Sequence, residues 1–301
     1  MSNTEINLKS LIGDNTREEF LKLLKSRTPF ISHGNTESLK DLMSLSFLDS
    51  VESLAACWRD TVDVFNPKIA DEISKISIPP EEALDEYKNG SCILFNDVNR
   101  IIPEFDRWNQ QIRREIGFSE LTYVRNLVYA TPAGKGNAPH FDQNFNFVLQ
   151  LEGTKKWWLA KNKTINNPMT RHVIGQPIDH ELEGYTAKEF PKSFPPDCTE
   201  YILEPGSILF VPRGVWHMTE AVTDAVSFNF TFTPPTWIDI ATTALREKLS
   251  HSEKWRESAI IDDNGSYSSE FNKLLNDLSA DVENWNAVDF LDITEHPNLP
   301  F

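Results

Sequence analysis

Between Leu121 and Phe232 the apolar residues fall into short runs punctuated by Gly, Pro or Asp: YVRNLVYATP, NFNFVLQLEG, KKWWLAK, EYILEPGSILFVPRG and AVSFNFTFTPP. Runs of this length, rich in Val, Phe, Leu and Trp, predict β-strands. Many short strands in succession predict a sandwich or jelly roll. In the second run Phe145, Phe147, Leu149 and Leu151 share one face and leave Asn146 on the other. The stretch Asn162–Cys198 is polar and Pro-rich with weak strand character. It reads as an insertion between two β halves, of the kind that shapes binding sites.

On both sides the period changes to that of a helix. In DNTREEFLKLLKSR, Thr16 stands three residues before Glu19, a capping-box spacing, and Phe20, Leu23 and Leu24 form a stripe. TESLKDLMSLSFLDSVESLAACWRD is an interrupted helical stretch, IPPEEALDEYKNG a helix opened by proline and closed near Gly90, and RIIPEFDRWNQQIRREIGF another helix. SCILFND between them reads as a buried strand. After Pro235, Thr236 precedes Asp239 at the head of a helix carrying Ile238, Ala241, Leu245 and Leu249. A last helix aligns Phe271, Leu274, Leu275, Leu278, Val282 and Trp285. Such stripes ordinarily pack on their own domain; a dimer interface is the sharper alternative. The expected organisation is a mostly helical segment at 1–120 with strands joining the core, a β core at 121–235 with its insertion at about 162–198, and a helical segment at 236–301.

Composition narrows the function. With 29 basic and 45 acidic residues the formal charge is −16, which disfavours nucleic-acid or anionic-membrane partners and suits a basic one. No apolar run approaches the roughly 20 residues of a membrane helix, and MSNTEINLKS lacks the features of a secretory signal. Cys57, Cys92 and Cys198 form no CxxC pair, so neither a disulfide framework nor a thiolate zinc site is expected, and the expected compartment is the cytoplasm.

The chemistry concentrates in PHFDQNFNFVLQLEGTKKWWLA. His140 and Asp142 are two residues apart at the start of a predicted strand, so both face one way. A second histidine on a distant strand would complete the facial set of two histidines and one carboxylate that leaves positions open on Fe(II). His217 in GSILFVPRGVWHMTEA, 75 residues after Asp142, is that candidate. His172 and His180, in the insertion, read as surface or substrate-loop residues, and His33, His251 and His296 as incidental. Such an iron site commonly uses 2-oxoglutarate, whose second carboxylate needs a buried cation. Lys155 follows the Glu152–Gly153 hairpin, on a strand expected to run back beside that of His140 and Asp142. Alternation alone does not decide between Lys155, on the face of Trp157, and Lys156, on that of Trp158.

NLVYATPAGKGNAPHFDQNFNFVLQLEGTKKWWLA, EPGSILFVPRGVWHMTEA and SFNFTF together resemble the JmjC-type, cupin-like 2-oxoglutarate oxygenases of the ribosomal oxygenase group. More distantly they are similar to the asparaginyl hydroxylase that inhibits hypoxia-inducible factor. The resemblance implies a double-stranded β-helix with helical extensions at both ends. It implies iron held by His140, Asp142 and His217, and 2-oxoglutarate held by Lys155 with contacts from Tyr129, Asn146 and Asn229. Asn137 falls where relatives have other residue types. The glycines of PAGKGNAP read as a turn, since no GK[ST] follows. The implied activity is dioxygen-dependent hydroxylation of a protein or peptide side chain, with release of succinate and CO2. Alternatives are a small molecule or natural-product precursor peptide as substrate, N-methyl demethylation, or an inactive cupin-like binding module.

Overall fold

The computed structural model describes residues 6–65, 75–260 and 266–286. They form two compact units. The first comprises Met1–Phe118 and Tyr123–Thr233, the second Ser119–Thr122 and Pro234–Phe301.

The first unit is built on two antiparallel sheets. The strands are β1 (Phe30–Ser32), β2 (Val62–Phe65), β3 (Ile76–Ile78), β4 (Cys92–Phe95), β5 (Tyr123–Thr131), β6 (His140–Phe141), β7 (Phe145–Glu152), β8 (Lys155–Ala160), β9 (His172–Val173), β10 (Thr199–Leu203), β11 (Ile208–Val211), β12 (Trp216–Ala221) and β13 (Ala225–Thr233). The larger sheet has the order β1-β11-β7-β13-β5-β4-β2-β3, and the smaller β10-β8-β12-β6-β9. From β5 to β8 and again from β10 to β13 successive strands alternate between the sheets, as in a double-stranded β-helix. The expected β core with helices at both ends is what the chain forms.

Alternation along β13 explains how the larger sheet holds both a core and a site. Phe228, Phe230 and Phe232 point outward and are fully buried, while Ser227, Asn229 and Thr231 point between the sheets. On β7, Phe147 and Leu149 point outward and Asn146 and Gln150 inward. The outward face would be intolerable in water. It is covered by α1 (Leu8–Ile12), α2 (Arg17–Ser26), α4 (Val51–Cys57) and α6 (Pro103–Ile116), with the short α3 (Lys40–Met43) and α5 (Pro80–Lys88) beside them. Phe20 of α2 meets Phe147 and Phe210 at 5.6 and 5.1 Å between centroids, and Phe105 of α6 stacks on Phe228 at 5.3 Å. Thr16 and Glu19 form the expected capping box of α2. A smaller cluster of Val148, Trp157, Leu159, Leu203, Leu209, Val211 and Val215 fills the space between the sheets.

Two expectations are corrected. His140 and Asp142 do not begin the strand of Phe145–Glu152: β6 belongs to the smaller sheet and β7 to the larger, and Asp142–Asn144 crosses between them. Nor does β8 run back beside β7. Gly153, at φ +69°, lets the chain leave the larger sheet, and β8 pairs with β10 and β12. The insertion holds β9 and the short α7 (His180–Tyr185), with β9 added to the edge of the smaller sheet beside β6.

The second unit contains α8 (Trp237–Ser250), α9 (Glu253–Arg256) and α10 (Ser266–Val282). α8 opens with the Thr236–Asp239 capping box. The apolar stripe of α10 is only partly covered: Phe271, Leu275 and Val282 are 52, 41 and 47% exposed, while Leu274, Leu278 and Trp285 are half-buried. Among the described residues no helix is long and apolar enough to cross a membrane.

Candidate functional site

His140 and His217 meet because β6 and β12 are neighbours in register, His140 opposite His217. Their rings lie 4.1 Å apart between centroids. Each Nδ1–H donates to the carbonyl two residues earlier, His140 to Ala138 at 2.6 Å and His217 to Val215 at 3.0 Å. That fixes the tautomer and turns both Nε2 lone pairs the same way. They converge on Oδ2 of Asp142, at 3.8 Å from His140 Nε2 and 3.6 Å from His217 Nε2. Asp142 is held by its own backbone, whose carbonyl accepts from Gly214 N–H at 2.8 Å, tying the Pro212–Gly214 turn to the HxD segment.

Burial lowers the pKa of His140 to about 3, and the nearby His217 adds to the effect; burial also lowers that of His217. Burial alone would raise the Asp142 carboxyl, but His140, His217 and Arg171 outweigh it and hold the pKa below its ordinary value. The result is two neutral imidazoles and one carboxylate around a common point. Bonds of about 2.1 Å to a divalent metal put ligand atoms roughly 3.0 Å apart at right angles and roughly 3.6 Å apart at 120°. The observed separations therefore fit a bound ion with movements below an ångström. This trio is the group of potential metal-binding side chains found among the described residues.

Lys155 lies in the same cavity, which encloses about 180 Å³. It points inward with Trp157, whereas Lys156 takes the other face. Lys155 is 2% exposed, and its Nζ donates to Thr131 Oγ1 at 3.0 Å. The rings of Tyr129 and Trp157 flank it at 5.9 and 6.0 Å. Burial pulls its pKa down to about 8. Among the described residues no carboxylate lies within ion-pair distance of it, so the cavity holds a buried cation suited to an anionic ligand. Tyr129, Asn146 and Asn229 line the cavity from the larger sheet, and Asn137 from the loop before β6. The Asn146 Oδ1 accepts from Thr231 at 2.7 Å, and the Asn229 Oδ1 is buried without a partner. Trp157 stacks on His217 at 5.7 Å with 22° between planes, shielding that imidazole.

The sequence reading missed Arg171. Just ahead of β9, its Nε donates to Asp142 Oδ1 at 3.3 Å, leaving Oδ2 for the histidines. Nothing in the local sequence joins residues 29 positions apart across an insertion. His172 is also corrected. It is 5% exposed and packs with Phe141, Phe190 and Trp216 rather than lying on the surface. His180 is on the surface, and His33 bonds Ser207 through Nδ1 at 2.9 Å. His251 faces Glu247 at 3.4 Å, and His296 lies outside the described residues. The PAGKG glycines serve the backbone: Gly134 has φ +75°, and a Cβ on Gly136 would collide with the Thr219 carbonyl of β12.

Residues 100–240 match the JmjC domain family. The chain is 31% identical over 263 residues to the uncharacterised protein YxbC of Bacillus subtilis, covering 85% of this chain and 80% of that protein. It is 29% identical over 223 residues to ribosomal oxygenase 2 of Rattus norvegicus, covering 70% of this chain and 43% of the relative, and so spans less than half of that protein's length. Among solved structures it resembles Escherichia coli YcfD, with a TM-score of 0.53 at 16% identity, over 88% of this chain and 67% of that one. A structure of YcfD described as a ribosomal oxygenase in complex with cobalt and 2-oxoglutarate aligns with a TM-score of 0.50 at 16% identity, over 91% of this chain and 71% of that one. These two likenesses establish the fold.

Proposed function

Because the chain belongs to the JmjC-domain family, we propose that it is an Fe(II)- and 2-oxoglutarate-dependent dioxygenase that hydroxylates a side chain of a protein or peptide. The observation that carries this reading is the convergence of His140, Asp142 and His217 in a cavity that also holds the buried Lys155. His140 Nε2, His217 Nε2 and Asp142 Oδ2 would hold the iron, with Arg171 keeping the carboxylate turned for single-oxygen ligation. Bound iron with 2-oxoglutarate and dioxygen supplies oxidation of an unactivated C–H bond, with succinate and CO2 as coproducts. Lys155 would bind the distal carboxylate of 2-oxoglutarate, and Tyr129, Asn146 and Asn229 would contact the cosubstrate from the facing sheet. Trp157 closes the side of His217 against water. The fold's contribution is to seat cosubstrate and one C–H bond against a single face of the metal.

A protein substrate is favoured by the ribosomal oxygenase names of two relatives. The charge of −16 favours a basic segment, and the three scattered cysteines favour the cytoplasm as working compartment. The exposed stripe of α10 is proposed as a homodimer interface; a monomer by light scattering at tens of micromolar would exclude it. The test of function is 2-oxoglutarate decarboxylation by iron-loaded protein after admission of oxygen, with and without basic peptides from the host. Succinate release stimulated by one peptide, with a +16 Da product, supports the reading. Formaldehyde without a hydroxylated product would make it a demethylase, and no iron binding and no turnover would make it a binding module.

A further inference from the structure

Arg125 plays no part in the chemistry described so far. On β5, Arg125, Leu127, Tyr129 and Thr131 share the face turned between the sheets, and the first three line the cavity of the metal cluster. The Nε of Arg125 is buried and has no hydrogen-bond partner, and among the described residues no carboxylate pairs with the guanidinium. Its neighbour in register, Thr231 of β13, has its hydroxyl committed to Asn146. A buried donor without an acceptor is costly, and a guanidinium keeps its charge at any accessible pH.

The other charges of the cavity are already assigned. Arg171 pairs with Asp142. Lys155 stands at the Thr131 end of β5, where the proposed function places the distal carboxylate of the cosubstrate. One cosubstrate molecule does not reach both ends. From Thr131 to Arg125 the strand runs roughly 20 Å. A five-carbon dicarboxylate is roughly 6 Å long, and an arginine side chain covers roughly 7 Å. The remainder is the space left for the group to be oxidised.

We propose that Arg125 is the substrate-selecting residue of this site, and that the side chain presented for oxidation ends in a carboxylate or carboxamide accepted by its guanidinium. This rests on the proposed function and deepens it. Basic charge recruits the segment around the target, whereas the residue entering the cavity is an acceptor. A lysine or arginine side chain would enter against an uncompensated cation.

The test uses the whole chain loaded with zinc and a non-oxidisable analogue of 2-oxoglutarate. Acetyl-X-methylamide probes, with X as Asn, Asp, Gln, Glu, Leu, Lys or Arg, are titrated by ligand-observed NMR. At least one acceptor probe should bind tenfold more tightly than the Leu, Lys and Arg probes. Arg125→Met should bring that probe to the Leu level while zinc and the analogue still bind. Arg125→Lys, which keeps the charge, should retain a preference for the carboxylates and serves where the Met variant does not fold. Equal or tighter binding of the Lys or Arg probe, no binding of any probe, or a preference that survives Arg125→Met overturns the proposal alone. Failure of the wild-type chain to bind zinc or the analogue overturns the functional reading together with it.

Discussion

Replacing Lys155 by Met should make the cosubstrate-free protein more stable and the cosubstrate weaker-binding, two effects of opposite sign from one substitution. Lys155 is buried with one hydrogen bond, to Thr131. Burial lowers its pKa from 10.5 to about 8, which corresponds to about 3 kcal/mol of penalty on the charged form. Because the folded value is depressed, the unfolded chain binds more protons between about pH 8 and 10.5. The penalty is therefore full below pH 8 and fades as pH rises through that window. A Met of similar volume removes the penalty and forfeits a hydrogen bond worth about 1 kcal/mol. The variant should then gain about 2 kcal/mol at pH 7, read by denaturant unfolding of the metal-free protein. The distal carboxylate of 2-oxoglutarate would lose a charge-assisted bond of about 2 to 3 kcal/mol, which weakens binding by about 30- to 150-fold. In the wild type, 2-oxoglutarate affinity should also fall up to about tenfold per pH unit above 8, since the ammonium must first regain its proton; the variant should be flat there. A variant less stable than wild type, or one binding 2-oxoglutarate within threefold of it, would refute the reasoning.

Three further outcomes follow from the geometry. His140→Ala or Asp142→Ala should abolish iron-dependent turnover and stoichiometric metal binding by calorimetry; full activity in either would remove the metal assignment. Arg171→Met should weaken metal binding about 10- to 100-fold, because Asp142 is no longer held with one oxygen turned to the histidines. An unchanged affinity would show that the Gly214 hydrogen bond suffices. Gly136→Ala should lower stability by about 2 kcal/mol or more, since its methyl would displace the backbone of the strand carrying His217; a melting temperature within a degree of wild type would contradict the close approach.

The outward half of the barrel was legible because its rule is local. Phe145, Phe147 and Leu149 alternate with Asn146 and Gln150, and strand alternation fixes which set is core. The capping box at Thr16 and the proline-opened helices at Pro80 and Pro103 are local too. What the sequence concealed is set by pairing across distance. β6 is two residues long and takes its sheet from β12 and β9, so nothing in PHFDQNF says that the chain changes sheets after Phe141. His172 looked solvated amid polar residues, but its burial comes from Phe141, Phe190 and Trp216, which only the fold assembles. Arg125 was within reach: alternation along YVRNLVYAT puts it on the face of Tyr129, and an arginine turned into a barrel is a signal by itself.

The two sheets also divide the site in a way that bears on how it could diversify. The proposed iron ligands and the lysine all come from the smaller sheet and its borders, whereas Arg125, Tyr129, Asn146 and Asn229 come from the larger. The larger sheet rests on its own layer of helices, through a core separate from the cluster between the sheets. Substitutions on its inner face can therefore redraw what is admitted to the metal without loosening the grip on the metal itself. Lineages sharing this architecture would be expected to keep β6, β8 and β12 nearly fixed, together with Tyr129, Thr131, Asn146 and Asn229 on the facing wall, while positions such as Arg125 change, so that new targets arise by redrawing the part of that wall the cosubstrate does not use.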